Sequence, residues 1–466
     1  MAGAPSGDKK RSLMKQTLPL ARWLTAPRPD DTPIAWLDES TWTLGDLRHD
    51  VAQLICRLQQ QPGERWALCF ENSYLFIVAL LATLHAGKTP VLPGHNRVIQ
   101  LNEQRELFDG VLSDSDLNWQ GSLLLVASSP QVATQSFTFA AIAPDAYIEL
   151  FTSGSTGQPK RVIKPVHLLD REAELLAERL GARLAGCRVV GSVLPQHLYG
   201  LTFRVFLPMA LGLPLHAAML WYVEQFAALS HQHRYIFISS PAFLKRLDTQ
   251  LSPPPVQVLL SAGGELPWQD VQHTASWMRV WPDEIYGSTE TGVIAWRYRE
   301  QEQRRWLPLP GMQFQAEDDA FRLFSPLIAE DNGLLLDDIL QFSEDGQFHL
   351  MGRRGRIVKI EEKRISLQEV EQRLLALDGI REAAAVPVMR GGRQSIGVLL
   401  VLDDEARLQW QNGGGHSQEM AWRRLLRPTL EPVAIPRYWR VIDEMPVNSM
   451  NKRVYAQLQE LFHEAP

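Results

Sequence analysis

The sequence predicts an α/β protein. A large N-terminal domain of layered α/β subdomains ends in a β-rich subdomain, and a small mobile α+β C-terminal domain follows. Three observations carry this expectation. Strand-like and helix-like segments alternate through the first half of the chain. Between Trp306 and Gly346 turn signals recur between short apolar runs. After Gly352-Arg353-Arg354-Gly355-Arg356 the pattern resets to a helix and two strands.

Met1 to Lys15 is polar and basic and has no signal-type apolar core behind it. Leu47–Gln59 has helical spacing, and Tyr74–Ala86 reads as a packed helix leading to Gly87. The apolar run Tyr74–His85 is shorter than the roughly 20 residues a bilayer span needs, so it reads as a buried helix. Ala146–Phe151 is a short apolar strand. It runs into the loop Thr152–Lys160 and then into a helix around Val166–Leu180. Arg188–Leu194, Tyr235–Ser239, Val256–Leu260 and Met278–Ile285 are further strand candidates. In Trp306–Gly346 the turns fall at Pro308, Pro310-Gly311, Asn332-Gly333 and Asp345-Gly346. A helix near Leu367–Leu377 then precedes strands near Ala383–Val388 and Ile396–Leu402, and Gln411–Ser417 reads as an exposed loop.

With 466 residues the chain is long enough for two or three domains. The expected division is 1–353 for the large domain and 354–466 for the small one. Hydrophobic residues make up 45% and charged residues 21%, the balance of a soluble globular protein. A net charge of −6 argues against nucleic-acid binding through overall basic charge. Cys56, Cys69 and Cys187 lie far apart with no C-x-x-C pair, so neither a zinc site nor a disulfide framework is expected, and a reducing cytoplasm is the simple reading.

Two loops carry the chemistry. In Phe151-Thr-Ser-Gly-Ser-Thr-Gly-Gln-Pro-Lys160, small hydroxyl residues and glycines follow a buried strand. Glycines let backbone N–H groups approach an anion, hydroxyls add donors, and Lys160 adds charge. The Walker pattern G-x-x-x-x-G-K-[ST] is absent. In Tyr286-Gly-Ser-Thr-Glu-Thr-Gly292 a carboxylate sits inside a Gly/Ser/Thr loop, which suits Mg²⁺, and Tyr286 is placed to stack on a base. Taken singly, each loop is equally compatible with a plain polar turn.

Together the two loops resemble the adenylate-forming superfamily: acyl- and aryl-CoA synthetases, acyl-carrier-protein ligases, luciferases and peptide-synthetase adenylation domains. Further matches fall in the order that family shows. They are Thr43-Leu-Gly-Asp-Leu47, Ala79–Pro93, Leu194-Pro-Gln-His197 to Gly200, Ser261-Ala-Gly-Gly-Glu265, Asp338, Gly352-Arg353 and Met445-Pro446 to Asn451-Lys452. The resemblance spans about residues 35–460.

The resemblance implies ATP-dependent activation of a carboxylic acid as an acyl-adenylate, then transfer of the acyl group to a phosphopantetheine thiol. It implies that Thr152, Ser153, Gly154, Ser155, Thr156 and Gly157, with Lys160, hold phosphates. Gly263, Gly264, Glu265, Tyr286, Gly287 and Ser288 would line the nucleotide. Thr289 would contact the α-phosphate and Glu290 would bind Mg²⁺. Asp338 would accept from the ribose hydroxyls, with Arg353 beside it. Lys452 would bridge the acid and the α-phosphate, and Gly355 would be the hinge. His197, Tyr199, Phe203, Ser240, Pro241, Ala262 and Val293 would line the acyl pocket, His197 also closing off the carboxylate.

This chain departs from the family at three places. Gly355 stands where Asp or Lys is common, Glu362 replaces a glycine that normally passes close to the thiol arm, and Asn451 replaces another glycine. Glycine at 355 keeps backbone freedom, and asparagine tolerates positive φ. Glu362 points to an unusual acceptor or an altered thiol tunnel.

No Asp or Glu occurs from Arg179 to Val223, where amino-acid-activating relatives place the partner of the α-ammonium. An unpaired buried ammonium is costly, so an aryl or fatty acid is expected instead. Arg423, Arg424 and Arg427 suit either CoA phosphates or an acidic carrier-protein helix, and the balance tips slightly to an acyl carrier protein. Free CoA, and a non-catalytic nucleotide-binding module, are the competing readings. A serine hydrolase is disfavoured because no G-x-S-x-G elbow occurs.

Overall fold

A computed structural model describes residues 17–129, 137–153, 159–318, 320–360, 363–390, 393–447 and 453–462. The chain falls into two compact units. One comprises residues 1–313 with 324–334, and the other 314–323 with 335–466. Compactness thus groups residues 335–353 with the C-terminal residues, whereas the expected domain division after Arg353 groups them with the N-terminal ones.

Among the described residues the first unit holds a six-stranded and a nine-stranded sheet. The six-stranded sheet runs Leu123–Leu125, Gly110–Ser113, Arg65–Cys69, Thr89–Leu92, Tyr147–Ser153, Pro159–Pro165. Its neighbours are parallel except the last pair, an antiparallel hairpin. The nine-stranded sheet has a parallel centre formed by Asp283–Ser288, Val256–Ser261, Tyr235–Ser239, Arg188–Gly191, Leu215–His216 and Pro33–Leu37. One edge adds Ser40–Thr43, and the other adds Gly292–Tyr298 and Leu307–Pro308, all antiparallel. The predicted α/β layering is therefore present.

The helices form where sequence and caps agree. In Leu44–Gln59, Leu44, Leu47, Val51, Leu54, Ile55 and Leu58 are buried at helical spacing. Thr43 and Asp46 close its first turn as a reciprocal capping box. Ser73–His85 is apolar on nearly every side and is correspondingly buried, its N-terminus capped by the Asn72 side chain. These helices and Val166–Leu184 share one core with the inner faces of the strands.

The phosphate-loop region differs from expectation. Its strand continues to Ser153, and a second strand, Pro159–Pro165, intervenes before the helix Val166–Leu184. Met278–Ile285 is not a strand throughout: Met278 ends a helix, Arg279 turns the chain at φ 60°, and the strand begins at Asp283. In the second unit, the helix Leu367–Leu375 packs with a hairpin of Ile380–Arg390 and Arg393–Leu402, which Tyr438–Val441 extends in parallel. Gln411–Ser417, expected as a loop, is a kink between helical segments, with Gly413 at φ 88°. No helix among the described residues is long and apolar enough to cross a membrane.

One packing detail has a measurable pH signature. Asp170 Oδ1 accepts the Leu20 N–H at 2.9 Å, tying the N-terminal turn to Val166–Leu184. Burial raises the Asp170 carboxyl to about 6 from the ordinary 3.8; the Leu20 amide opposes this and Glu174 adds to it. The folded state therefore binds this proton more tightly than the unfolded chain. Stability falls as pH rises across that interval. Asp170→Asn keeps the acceptor oxygen and is expected to stabilise the protein at neutral pH by at most about 3 kcal/mol. The advantage should vanish near pH ~4. Melting curves with the same wild-type-to-variant difference at both pH values would contradict this account.

Candidate active site

Both chemistry-bearing loops are hairpin turns. In the first, Thr152 and Ser153 end one strand, Pro159 and Lys160 begin the next, and Thr152 pairs across with Lys160. The antiparallel register alone therefore sets Lys160 opposite Thr152. Gly154, Ser155, Thr156 and Gly157 lie outside the described residues.

The second turn joins Asp283–Ser288 to Gly292–Tyr298. The Thr291 hydroxyl oxygen accepts the Ser288 N–H at 3.0 Å, and the Thr291 N–H donates to Ser288 Oγ at 3.2 Å. Thr289 and Glu290 ride on this braced turn, half-buried. A Cβ at Gly287 would stand 2.1 Å from the Gly292 carbonyl oxygen, so only glycine fits there. Tyr286 sits one residue earlier, its ring 5.7 Å from that of Trp306, which the Arg297 guanidinium covers at 4.2 Å. Arg297 is in turn held by Glu284. A tyrosine backed in this way is pre-set for stacking on a planar ligand.

The two turns meet through an ion pair, Lys160 Nζ donating to Glu290 Oε1 at 2.6 Å. Burial alone would raise the Glu290 carboxyl. Hydrogen bonds from Lys160, its own backbone and the Ser288 hydroxyl, with the Lys160 charge, hold it below the usual carboxylate range. Glu290 is thus an ionised oxygen donor beside hydroxyls, a set that suits a hard cation. Mg²⁺ takes one or two carboxylates plus waters and phosphate oxygens. Among the described residues no three or more His, Cys, Asp or Glu side chains gather as a metal cage. A bound Mg²⁺ would supply charge neutralisation for phosphate oxygens there.

Of the acid-pocket candidates, Ser240 and Ala262 directly follow the parallel strands Tyr235–Ser239 and Val256–Ser261, at the carboxyl ends where open α/β sheets bind ligands. A Cβ at Gly94, which has φ +82°, would stand 3.0 Å from His197 Cε1 and 3.5 Å from the Phe151 carbonyl oxygen. His197 therefore lies beside the first hairpin. Gly94 was not singled out in the sequence; its signal was the Pro93-Gly94 turn after a short strand. Tyr199 packs on Phe203 at 5.2 Å between ring centres, and burial raises its phenol, which is directed at the Ser239 backbone. Ser240 and Pro241 open the turn Pro241–Leu244, and Pro241 Cγ lies 3.9 Å from where a Gly264 Cβ would be. Gly263 has φ +90°, and Glu265 is exposed. Phe203, Ala262 and Val293 belong to the main core.

In the second unit, Asp338 and Arg353 face each other across paired strands, Arg353 Nε donating to Asp338 Oδ1 at 2.9 Å. Gly355 lies in the short turn Arg354–Arg356. Glu362, Asn451 and Lys452 lie outside the described residues.

Residues 102–323 match the family of the AMP-binding enzyme. A 4-coumarate–CoA ligase from Cereibacter sphaeroides is 28% identical over 278 residues, 58% of this chain and 63% of that protein. Nonribosomal peptide synthetase 8 of Aspergillus fumigatus is 25% identical over 500 residues, 88% of this chain but 6% of that much longer protein. The chain thus spans less than two thirds of these relatives. The fold is shared with ATP-bound MatB from Rhodopseudomonas palustris, with a TM-score of 0.79 at 18% identity over 95% of this chain and 98% of that one. It is shared also with the o-succinylbenzoate CoA synthetase of Bacillus subtilis, with a TM-score of 0.75 at 18% identity over 96% and 98%. With its ordered motifs, its two paired hairpins and these relatives, the chain resembles the adenylate-forming superfamily, and its residues 102–323 match the AMP-binding enzyme family.

Proposed function

We propose that the protein is an AMP-forming acid–thiol ligase. It joins an aryl or fatty carboxylate to the α-phosphate of ATP, releases pyrophosphate, and passes the acyl group to a phosphopantetheine thiol. The observation that carries this reading is the Lys160–Glu290 contact, which sets a phosphate-loop cation and a metal-binding carboxylate side by side. Two anions must meet in the first step, so catalysis rests on positioning and charge neutralisation. Thr152 and Ser153 with the rest of their turn hold the terminal phosphates, Glu290 would hold the Mg²⁺ that neutralises them, and Thr289 contacts the α-phosphate. Asp338 accepts from the ribose hydroxyls beside Arg353, and Lys452 neutralises the carboxylate and the α-phosphate. A division at 353/354, with Gly355 as hinge, frees the C-terminal residues to rotate between the two steps. Among acids, the apolar surroundings of Tyr199, Phe203 and Val293 favour an aryl or fatty chain.

For the acceptor, the 4-coumarate–CoA ligases among the relatives support free CoA. A carrier protein is the second reading. It is favoured by Arg424 and Arg427, which are exposed on and just beyond the helix Gly415–Leu426, whereas Arg423 is tied to Glu419.

Two measurements test this. Lys452→Ala is expected to lower acid-dependent ATP–pyrophosphate exchange by at least about a hundredfold without changing the melting temperature; exchange at the wild-type rate would overturn the assignment. In the second, exchange is run across a panel of aryl and fatty acids, and the adenylate is trapped with CoA or a holo-carrier protein. Thioester formed on CoA is expected. Thioester on the carrier protein alone would reverse the choice of acceptor, and no thioester on either would refute the ligase reading.

A further inference from the structure

Beneath the Glu290 turn lies a buried polar network that none of the motifs includes. Lys164, on the return strand of the first hairpin, is 4% exposed, and its ammonium donates to the main-chain oxygen of Glu290 at 2.7 Å. Glu172, on the helix Val166–Leu184, is 2% exposed. One of its oxygens accepts the Val293 N–H at 2.6 Å and the other accepts the Thr202 hydroxyl at 2.7 Å. Thr202 lies in the wide helical turn Leu201–Phe206, which also carries Phe203 and follows directly on His197–Gly200. Turns of that kind recur at functional sites.

Gly292 is required by this arrangement twice over. Its φ is +70°, and a Cβ there would stand 2.7 Å from Glu172 Oε1. A side chain at 292 would push Glu172 away from the Val293 amide.

Burying an ammonium and a carboxylate is costly unless each is paired or hydrogen-bonded. Burial depresses the Lys164 ammonium, and the charges of Glu172, Glu290 and Glu330 oppose that. Burial raises the Glu172 carboxyl, and Thr202, Lys164 and the Val293 amide oppose that. The hydrogen bonds given above end on the main chain of the turn that carries Glu290 or on the turn that carries the acid-pocket aromatics. A core that needed only filling would use apolar side chains here at lower cost.

We propose that Lys164 and Glu172 are positioning residues. They lock the backbone of residues 290–293 so that Glu290 faces the phosphate hairpin, and through Thr202 they keep that turn in register with the acid pocket. This rests on the reading of Glu290 as the Mg²⁺–nucleotide residue.

The test compares wild type with Lys164→Met, Glu172→Gln, Thr202→Val and Thr202→Ser. The readouts are Mg²⁺-dependent ATP–pyrophosphate exchange, melting temperature, and amide hydrogen exchange of the ligand-free peptide spanning residues 288–294. Lys164→Met and Glu172→Gln are expected to raise the Mg²⁺ concentration for half-maximal exchange by about tenfold to a hundredfold. The 288–294 amides should lose protection while the rest of the unit keeps its own. Thr202→Val should raise the KM for the acid more than the KM for ATP, and Thr202→Ser, which restores the donor, should bring it back. Folded variants with wild-type Mg²⁺ dependence and wild-type protection would overturn the proposal. If Lys164→Met or Glu172→Gln fails to fold, the Thr202 pair decides: identical acid KM values for valine and serine would overturn it. A wild-type chain with no Mg²⁺-dependent exchange for any acid would sink the functional reading instead, and this inference with it.

Discussion

The contact between Lys160 and Glu290 is the constraint around which the first unit is arranged. These residues are 130 positions apart in sequence and sit on turns of two different sheets. For their side chains to meet at 2.6 Å, both sheets must present antiparallel hairpins at the same place. The Lys160 side chain is 60% exposed, and exposed ion pairs contribute only about 0–1 kcal/mol. The pair is therefore not what holds the sheets together. The shared core of Ser73–His85, Val166–Leu184 and the strand faces does that, and the pair reports that the core has brought the two turns into register. A weak contact at that point is easily exchanged for other charged partners.

Much of this arrangement was legible in the sequence. Tyr235–Ser239 is a strand as read, because an unbroken apolar run signals burial on both faces. Leu44–Gln59 and Ser73–His85 are marked by periodicity or length and by the caps Thr43 and Asn72. The two loops were legible because glycine and small hydroxyl residues concentrate where a backbone must approach an anion.

What was not legible depends on pairing across space. Pro159–Pro165 carries no strand signal in the sequence, because proline stands at both ends and Lys160, Arg161 and Lys164 interrupt the apolar pattern. It is nevertheless a strand, and it lies at the edge of its sheet, where terminal prolines are tolerated. Met278, Val280 and Trp281 look like the start of a strand but pack as a turn against the aromatic core beside Phe226 and Phe237. Gln411–Ser417 looks like a glycine loop, yet helices flank it on both sides, and Gly413 takes the one positive φ the kink requires. Lys164 and Glu172 carry no signal in the sequence, because a lysine and a glutamate in a linear sequence default to the surface. Only the fold reveals that the bonds they make reach the Glu290 turn and, through Thr202, the helical turn Leu201–Phe206.

Burial separates two lysines that lie four residues apart on one strand. Lys160 and Lys164 stand on the same strand, and each reaches residue 290, one through its carboxylate and the other through its carbonyl oxygen. Burial decides what each bond is for. At the exposed carboxylate, water and salt screen the attraction, so a ligand can displace Lys160 at small cost. At the buried carbonyl, water cannot replace a lost donor, so Lys164 is held in place whatever binds above it. One strand thus supplies a replaceable cation and a permanent one, and the difference between them is burial: the Lys160 side chain is exposed and Lys164 is buried.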